Sequence, residues 1–115
     1  MNEEYLDIFL QETQESIDTL NRMDELIASR DYDLLCRTAH TIKGNAALLG
    51  FNQLSELNKC IEFTFKKIIN NKIKPDDVSE LLKESIRKVK EETDYIMENK
   101  KESGTLGDLI SKFEV

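Results

Sequence analysis

His40 is the only histidine among 115 residues, and it lies in the run Ala39-His40-Thr41-Ile42-Lys43-Gly44-Asn45-Ala46-Ala47-Leu48-Leu49-Gly50-Phe51. Read as a helix at ~100° per residue, this run gathers Leu35, Ala39, Ile42, Ala46 and Leu49 on one apolar side, and His40 falls roughly 150° from the centre of that side. The imidazole is therefore expected on the solvent face. Lys43 follows three residues later and Gly44 four, so both neighbour the ring on the helix surface, and Ala47 lies one turn further on. A glycine inside a helix costs about 0.5–1 kcal/mol relative to alanine. At position 44 the missing side chain leaves space beside the imidazole, where a partner's backbone or a phosphoryl group can approach.

A histidine that accepts a group needs one ring nitrogen held as N–H and the other left with a free lone pair. Gly50-Phe51 predicts a tight turn, and His40 lies ten residues before Gly50 while Glu62 lies eleven after Phe51. At ~1.5 Å per residue the two stand at the same height on an antiparallel hairpin. Glu62, on the flank of its helix and off the apolar stripe, is the candidate acceptor for one ring N–H. Lys59, Phe63 and Lys66 are further binding candidates around it. Each residue also has a plain reading: His40 and Lys43 as solvated surface, Gly44 as close helix packing, Glu62 as a partner of Lys59 or Lys66 at helical spacing.

The elements that must position these groups are four amphipathic segments with short breaks. The first is expected from Glu3 to Ser29, with Leu6, Leu10, Thr13, Ile17, Leu20 and Ile27 recurring at helical steps; Asp24 interrupts the stripe, where Met23 and Leu26 can cover. Asp31 is a plausible N-cap for the second, which runs to Leu49 before Gly50 ends it. The third runs from Asn52 to Asn70, with Leu54, Leu57, Ile61, Phe65 and Ile68 as its stripe. Pro75 opens the fourth, and Asp76 and Asp77 suit its positive end. Val78, Leu82, Ser85, Ile86, Val89, Thr93 and Ile96 carry the pattern to Lys100. The expected fold is all-α, an antiparallel up-down-up-down four-helix bundle over residues 1–101, with 102–115 a linker or one short C-terminal helix.

Composition agrees with one helical domain: there is no tryptophan, with four glycines and one proline in the chain. A net charge of −7 argues against non-specific nucleic-acid binding, which needs a basic stripe. No apolar run reaches the ~18 residues of a membrane span, and the start, Met1-Asn2-Glu3-Glu4, lacks the basic region of a signal peptide. A cytoplasmic location follows as the expectation. Cys36 and Cys60 are read as reduced, semi-buried helix residues rather than a disulfide framework.

His40-Thr41-Ile42-Lys43-Gly44, then Gly50-Phe51, then Leu54, Leu57 and Glu62, closely resemble the histidine-containing phosphotransfer (HPt) domain. The opening Glu4-Tyr5-Leu6-Asp7-Ile8-Phe9-Leu10-Gln11-Glu12 looks like the start of the HPt domain of CheA-type chemotaxis kinases, and the resemblance spans Glu3 to Lys100. It implies that His40 is the phosphorylated residue, that Lys43 supports the phosphoryl oxygens, that Gly44 gives clearance and that Glu62 orients the imidazole. It implies a histidine kinase ATP-binding domain as phosphoryl source and an aspartate of a response-regulator receiver domain as acceptor. ATP and Mg²⁺ would come with those partners, and the isolated domain would be a monomer. Many CheA-type domains carry a second histidine three residues before the glutamate; here that position is Lys59, which adds positive charge instead.

Other chemistry fits less well. There is no G-x-x-x-x-G-K-[ST] loop for an autonomous kinase. Cys36 lies four residues before His40 without a recognisable nucleophile setting. Two cysteines and one histidine at these spacings do not make a zinc site, so no metal is expected. The rival reading is an adaptor bundle in which His40 is incidental. Phe63, facing away from its own apolar stripe, either joins a docking surface around His40 with Gly44 and Ala47 or packs under the C-terminal tail. The chain is either a module of a larger CheA-like kinase or a free-standing relay protein.

Overall fold

The computed structural model describes residues 3–113, so the expectations for residues 1–2 and 114–115 lie outside the described residues. Among the described residues six helical segments follow one another: α1 (Glu3–Leu20), α2 (Met23–Ala28), α3 (Tyr32–Leu48), α4 (Asn52–Ile69), α5 (Pro75–Asn99) and α6 (Gly107–Ser111). No strand occurs among the described residues. Among them, too, no helix is long and apolar enough to cross a membrane.

The first segment departs from expectation. It is not one helix from Glu3 to Ser29 but two, broken at Asn21-Arg22, where the Arg22 N–H bonds back three residues to Thr19 O at 3.0 Å. The reason lies in the apolar stripe. Seven residues after Ile17, a straight helix would carry Asp24 into the core, an unpaired charge in an apolar setting. The turn instead brings Met23 and Leu26 inside, both buried, and leaves Asp24 outside, where its carboxylate meets Lys83 Nζ at 3.2 Å.

The other boundaries follow local chemistry. Asp31 caps α3, its side chain accepting from the Leu34 N–H at 3.4 Å. Past α3, Gly50 adopts φ +81°, a left-handed conformation that favours glycine, and the Phe51 N–H returns to Ala46 O at 2.9 Å. Pro75 stands in the first turn of α5, where its missing N–H removes nothing from the helix ladder.

At the hairpin the core is built from the expected stripes, whereas in α1 the expected Leu10 is only partly buried and Phe9 enters the core instead. Leu35, Ala39 and Ile42 of α3 meet Leu54, Leu57, Ile61 and Phe65 of α4, all fully buried. The cross-contacts set the register: Ser55 Oγ donates to Lys43 O at 3.0 Å and the Cys36 thiol reaches Glu62 O at 3.9 Å, so rising numbers on α3 meet falling numbers on α4. The two helices are antiparallel, and this pairing decides what faces His40. On another side of the fold, Lys90 donates to Gln14 at 2.9 Å, so α5 runs opposite to the arm formed by α1 and α2.

The segment after α5 folds back. Glu102 Oε1 accepts from the Leu54 N–H at 2.8 Å, capping an otherwise unpaired donor at the start of α4. Gln53 Oε1 accepts from the Leu106 N–H at 3.1 Å, and Ser103 donates twice to the buried Glu92, from N at 2.9 Å and from Oγ at 2.6 Å. Leu106 and Leu109 are buried, so α6 is seated on the bundle.

Candidate functional site

His40 stands on the outer face of α3 with 63% of its side chain exposed, while Ala39 and Ile42 on either side are fully buried. Its Nδ1 lies 3.1 Å from Glu62 Oε2. A carboxylate only accepts, so this contact assigns a proton to Nδ1. Lys43 Nζ donates to the other oxygen, Oε1, at 2.9 Å. Lys66, one turn along α4, brings its Nζ to 3.1 Å from Oε2, the same oxygen that receives Nδ1–H. Helical spacing explains how three donors reach one acid. His40 and Lys43 are three residues apart on α3, Glu62 and Lys66 four apart on α4, and the antiparallel pairing brings the two pairs together.

The wheel of α4 puts Glu62 on the flank of its helix, off the apolar stripe, and leaves its exposure open; only 4% of its side chain is exposed, beside Ile61 and Phe65 of the core, because α3 covers that flank once the hairpin closes. Burial by itself pushes the carboxyl's pKa up and is the largest single effect, but the hydrogen bonds from Lys43 and Lys66, the Lys43 charge and the His40 contact together outweigh it, so the pKa lies below the ordinary glutamate value. Glu62 is thus a carboxylate at neutral pH, which the Nδ1–H assignment requires.

The surroundings are open and cationic. A Cβ built on Gly44 would meet nothing within 4 Å, so the glycine is not required for packing inside this chain, contrary to its plain reading. Ala47 is exposed beyond it. Phe63 is 45% exposed and flanked by Lys59 and Lys66, whose Nζ atoms stand 5.8 and 5.5 Å from the ring centroid. The tail seats at the opposite, N-terminal end of α4, against Gln53 and Leu54, which leaves Phe63 at the surface rather than under it. Leu48 was not singled out by the sequence pattern because it ends α3; it is 86% exposed and borders an apolar hollow with Tyr5, Ile8 and Phe9 of α1.

Cys36 does not face the imidazole. It is buried, its thiol directed at the Glu62 backbone carbonyl, and burial pushes its pKa up, which removes thiolate character. Cys60 is half-buried, and neither cysteine forms a disulfide. Among the described residues no group of three or more His, Cys, Asp or Glu side chains gathers as a metal site.

The Hpt domain family model matches residues 4–92, and the chain belongs to that family. It is similar to the chemotaxis protein CheA of Borreliella burgdorferi, 31% identical over 119 aligned residues that cover 98% of this chain and 14% of that protein. It is also similar to the chemotaxis protein CheA of Bacillus subtilis, 33% identical over 72 residues, covering 58% of this chain and 11% of that protein. The chain thus spans about one-seventh or less of the length of these curated relatives. No solved structure matches it.

Proposed function

We propose that this chain is the phosphotransfer module of a chemotaxis phosphorelay, in which His40 takes a phosphoryl group from ATP held by a histidine kinase ATP-binding domain and gives it to an aspartate of a response-regulator receiver domain. The single observation that carries the reading is the Nδ1–Glu62 contact, which leaves Nε2 as the exposed nucleophile. In the forward step the Nε2 lone pair forms a bond to the γ-phosphorus and the bond from that phosphorus to the bridging oxygen of ADP breaks. The Nδ1 proton stays in place, so the ring gains positive character that the Glu62 carboxylate offsets. In the onward step an aspartate oxygen bonds to the phosphorus, the N–P bond breaks, and the electron pair returns to Nε2.

Lys43 on α3, with Lys59 and Lys66 on α4, adds positive potential around the site. The donor set does not suit Mg²⁺, which takes oxygen ligands: the one carboxylate at the site already accepts from His40, Lys43 and Lys66. ATP and Mg²⁺ therefore belong to the partner domains in this reading. Docking uses the open face of Gly44 and Ala47, continued by Phe63 and by the apolar rim at Leu48. The helices are read as an up-down-up-down antiparallel bundle with α1 and α2 as one arm. The buried Leu106 and Leu109 support extending the working domain beyond residue 101 to include α6. The module works as a monomer in the cytoplasm, linked to or alongside its kinase.

The test is incubation with a CheA kinase domain and ATP, followed by addition of a receiver domain. The label on this chain should be stable in base, labile in acid, and should leave for the receiver. Label that resists acid, or that persists when His40 is replaced by Gln, would support the adaptor reading instead.

A further inference from the structure

Two donors converge on one oxygen at the site. Nδ1 of His40 and Nζ of Lys66 each lie 3.1 Å from Glu62 Oε2, while among the described residues Lys43 alone serves Oε1. Lys66 is 53% exposed and also rests over the ring of Phe63, at 5.5 Å from its centroid, so it is held on that side of the carboxylate by two contacts. Lys43 suffices to partner the buried acid through its own oxygen. A second cation on the oxygen that holds the imidazole has a different consequence: it draws electron density from the Nδ1–H···Oε2 bond and places a like charge beside a ring that becomes positive on phosphorylation.

We propose that Lys66 is a positioning residue that sets the transfer potential of phospho-His40 by sharing Glu62 Oε2 with Nδ1–H. With Lys66 present, the carboxylate stabilises the phosphorylated ring less, so the phosphoryl group is easier to pass on and slower to load. This rests on His40 being the phosphoryl acceptor. It assigns Lys66 to the acid on the protein side of the imidazole, not to the binding of phosphoryl oxygens for which its type and position also qualify it. Among the described residues the groups facing Glu62 are His40 and Lys43 from α3 and Lys66 from α4, with the Cys36 thiol on its backbone carbonyl, and of these Lys66 alone competes for the bonded oxygen.

The experiment uses the whole chain and potassium phosphoramidate as the donor. In that reaction the Nε2–P bond forms as the donor's P–N bond breaks, and ammonia leaves with a proton from solvent. At about pH 8, far above the carboxylate range, Glu62 is ionised in every variant. Lys66→Met should load faster and lose phosphate to water more slowly, each by about two- to fivefold, the scale of a half-exposed ion pair. Lys66→Arg should stay within about twofold of the unaltered chain, because it restores a cation at Oε2. Because His40 is the only histidine, its Nδ1 proton is read without overlap, and it should move downfield in Lys66→Met as its hydrogen bond strengthens. Slower loading in Lys66→Met would mean that Lys66 binds the phosphoryl donor, and unchanged rates with an unmoved Nδ1 proton would mean that it does neither; both overturn the proposal. No loading of the unaltered chain on His40 would instead overturn the phosphotransfer reading itself.

Discussion

Glu62 anchors the site from below. One buried carboxylate accepts from His40, Lys43 and Lys66, so its replacement acts on both fold and chemistry. Glu62→Gln keeps the shape but loses the charge and faces an amide N–H₂ toward at least one cation. The predicted cost is about 1–3 kcal/mol of stability, measured by denaturant unfolding at neutral pH. Phosphorylation should slow as well, up to about 10²-fold, the low end of what a general base contributes, since Glu62 orients the ring rather than taking its proton. The pH dependence has a definite sign. The folded carboxyl's pKa is depressed, so Glu62 stabilises the fold above the ordinary glutamate value of about 4.3, and that contribution is lost as pH falls through this value toward the folded one. The stability gap between the unaltered chain and Glu62→Gln should therefore be widest near neutrality and narrow below about pH 4; a gap that widens on acidification would contradict the assigned ionisation.

At the scale of helices, the α3–α4 hairpin does the positioning, and Gly44 separates its structural from its functional demands. A Cβ at Gly44 would meet nothing within 4 Å, so Gly44→Ala should stabilise the chain by about 0.5–1 kcal/mol through helix propensity alone. Gly44→Leu should also fold, as circular dichroism would register, yet slow transfer to a receiver by obstructing the face beside His40. Wild-type transfer from a folded Gly44→Leu chain would place docking elsewhere. The hairpin was largely legible in the sequence. The apolar stripes of both helices, the Asp31 cap and the Gly50 turn all act locally, and equal heights from the turn put Glu62 opposite His40. What could not be read was whether Glu62 lies open or covered, because that depends on α3 filling a flank that the wheel of α4 leaves polar. The break at Asn21-Arg22 was hidden for a related reason. Asp24 signalled a fault in the stripe, but whether a helix tolerates or breaks at such a fault is decided by the packing of Met23 and Leu26.

Over the whole molecule, the C-terminal segment belongs with the bundle more closely than its glycine-containing start suggested. Glu102 caps α4, Ser103 holds Glu92, and Leu106 and Leu109 are buried, none of which follows from helical periodicity in so short a stretch. Leu109→Ala should cost about 2–4 kcal/mol in thermal or denaturant unfolding, whereas a loosely attached linker would lose almost nothing. Since α6 seats at the N-terminal end of α4, away from His40, that variant should still accept a phosphoryl group at temperatures where it is folded. The central claim, that Glu62 holds Nδ1–H so that Nε2 is the nucleophile, is tested most directly by ¹⁵N and ³¹P spectra of the one imidazole before and after phosphorylation. The account predicts the Nδ1–H tautomer before reaction, then phosphorus coupled to Nε2 with the Nδ1 proton retained. An Nε2–H tautomer in the unreacted chain, or phosphorus bonded to Nδ1, would contradict it.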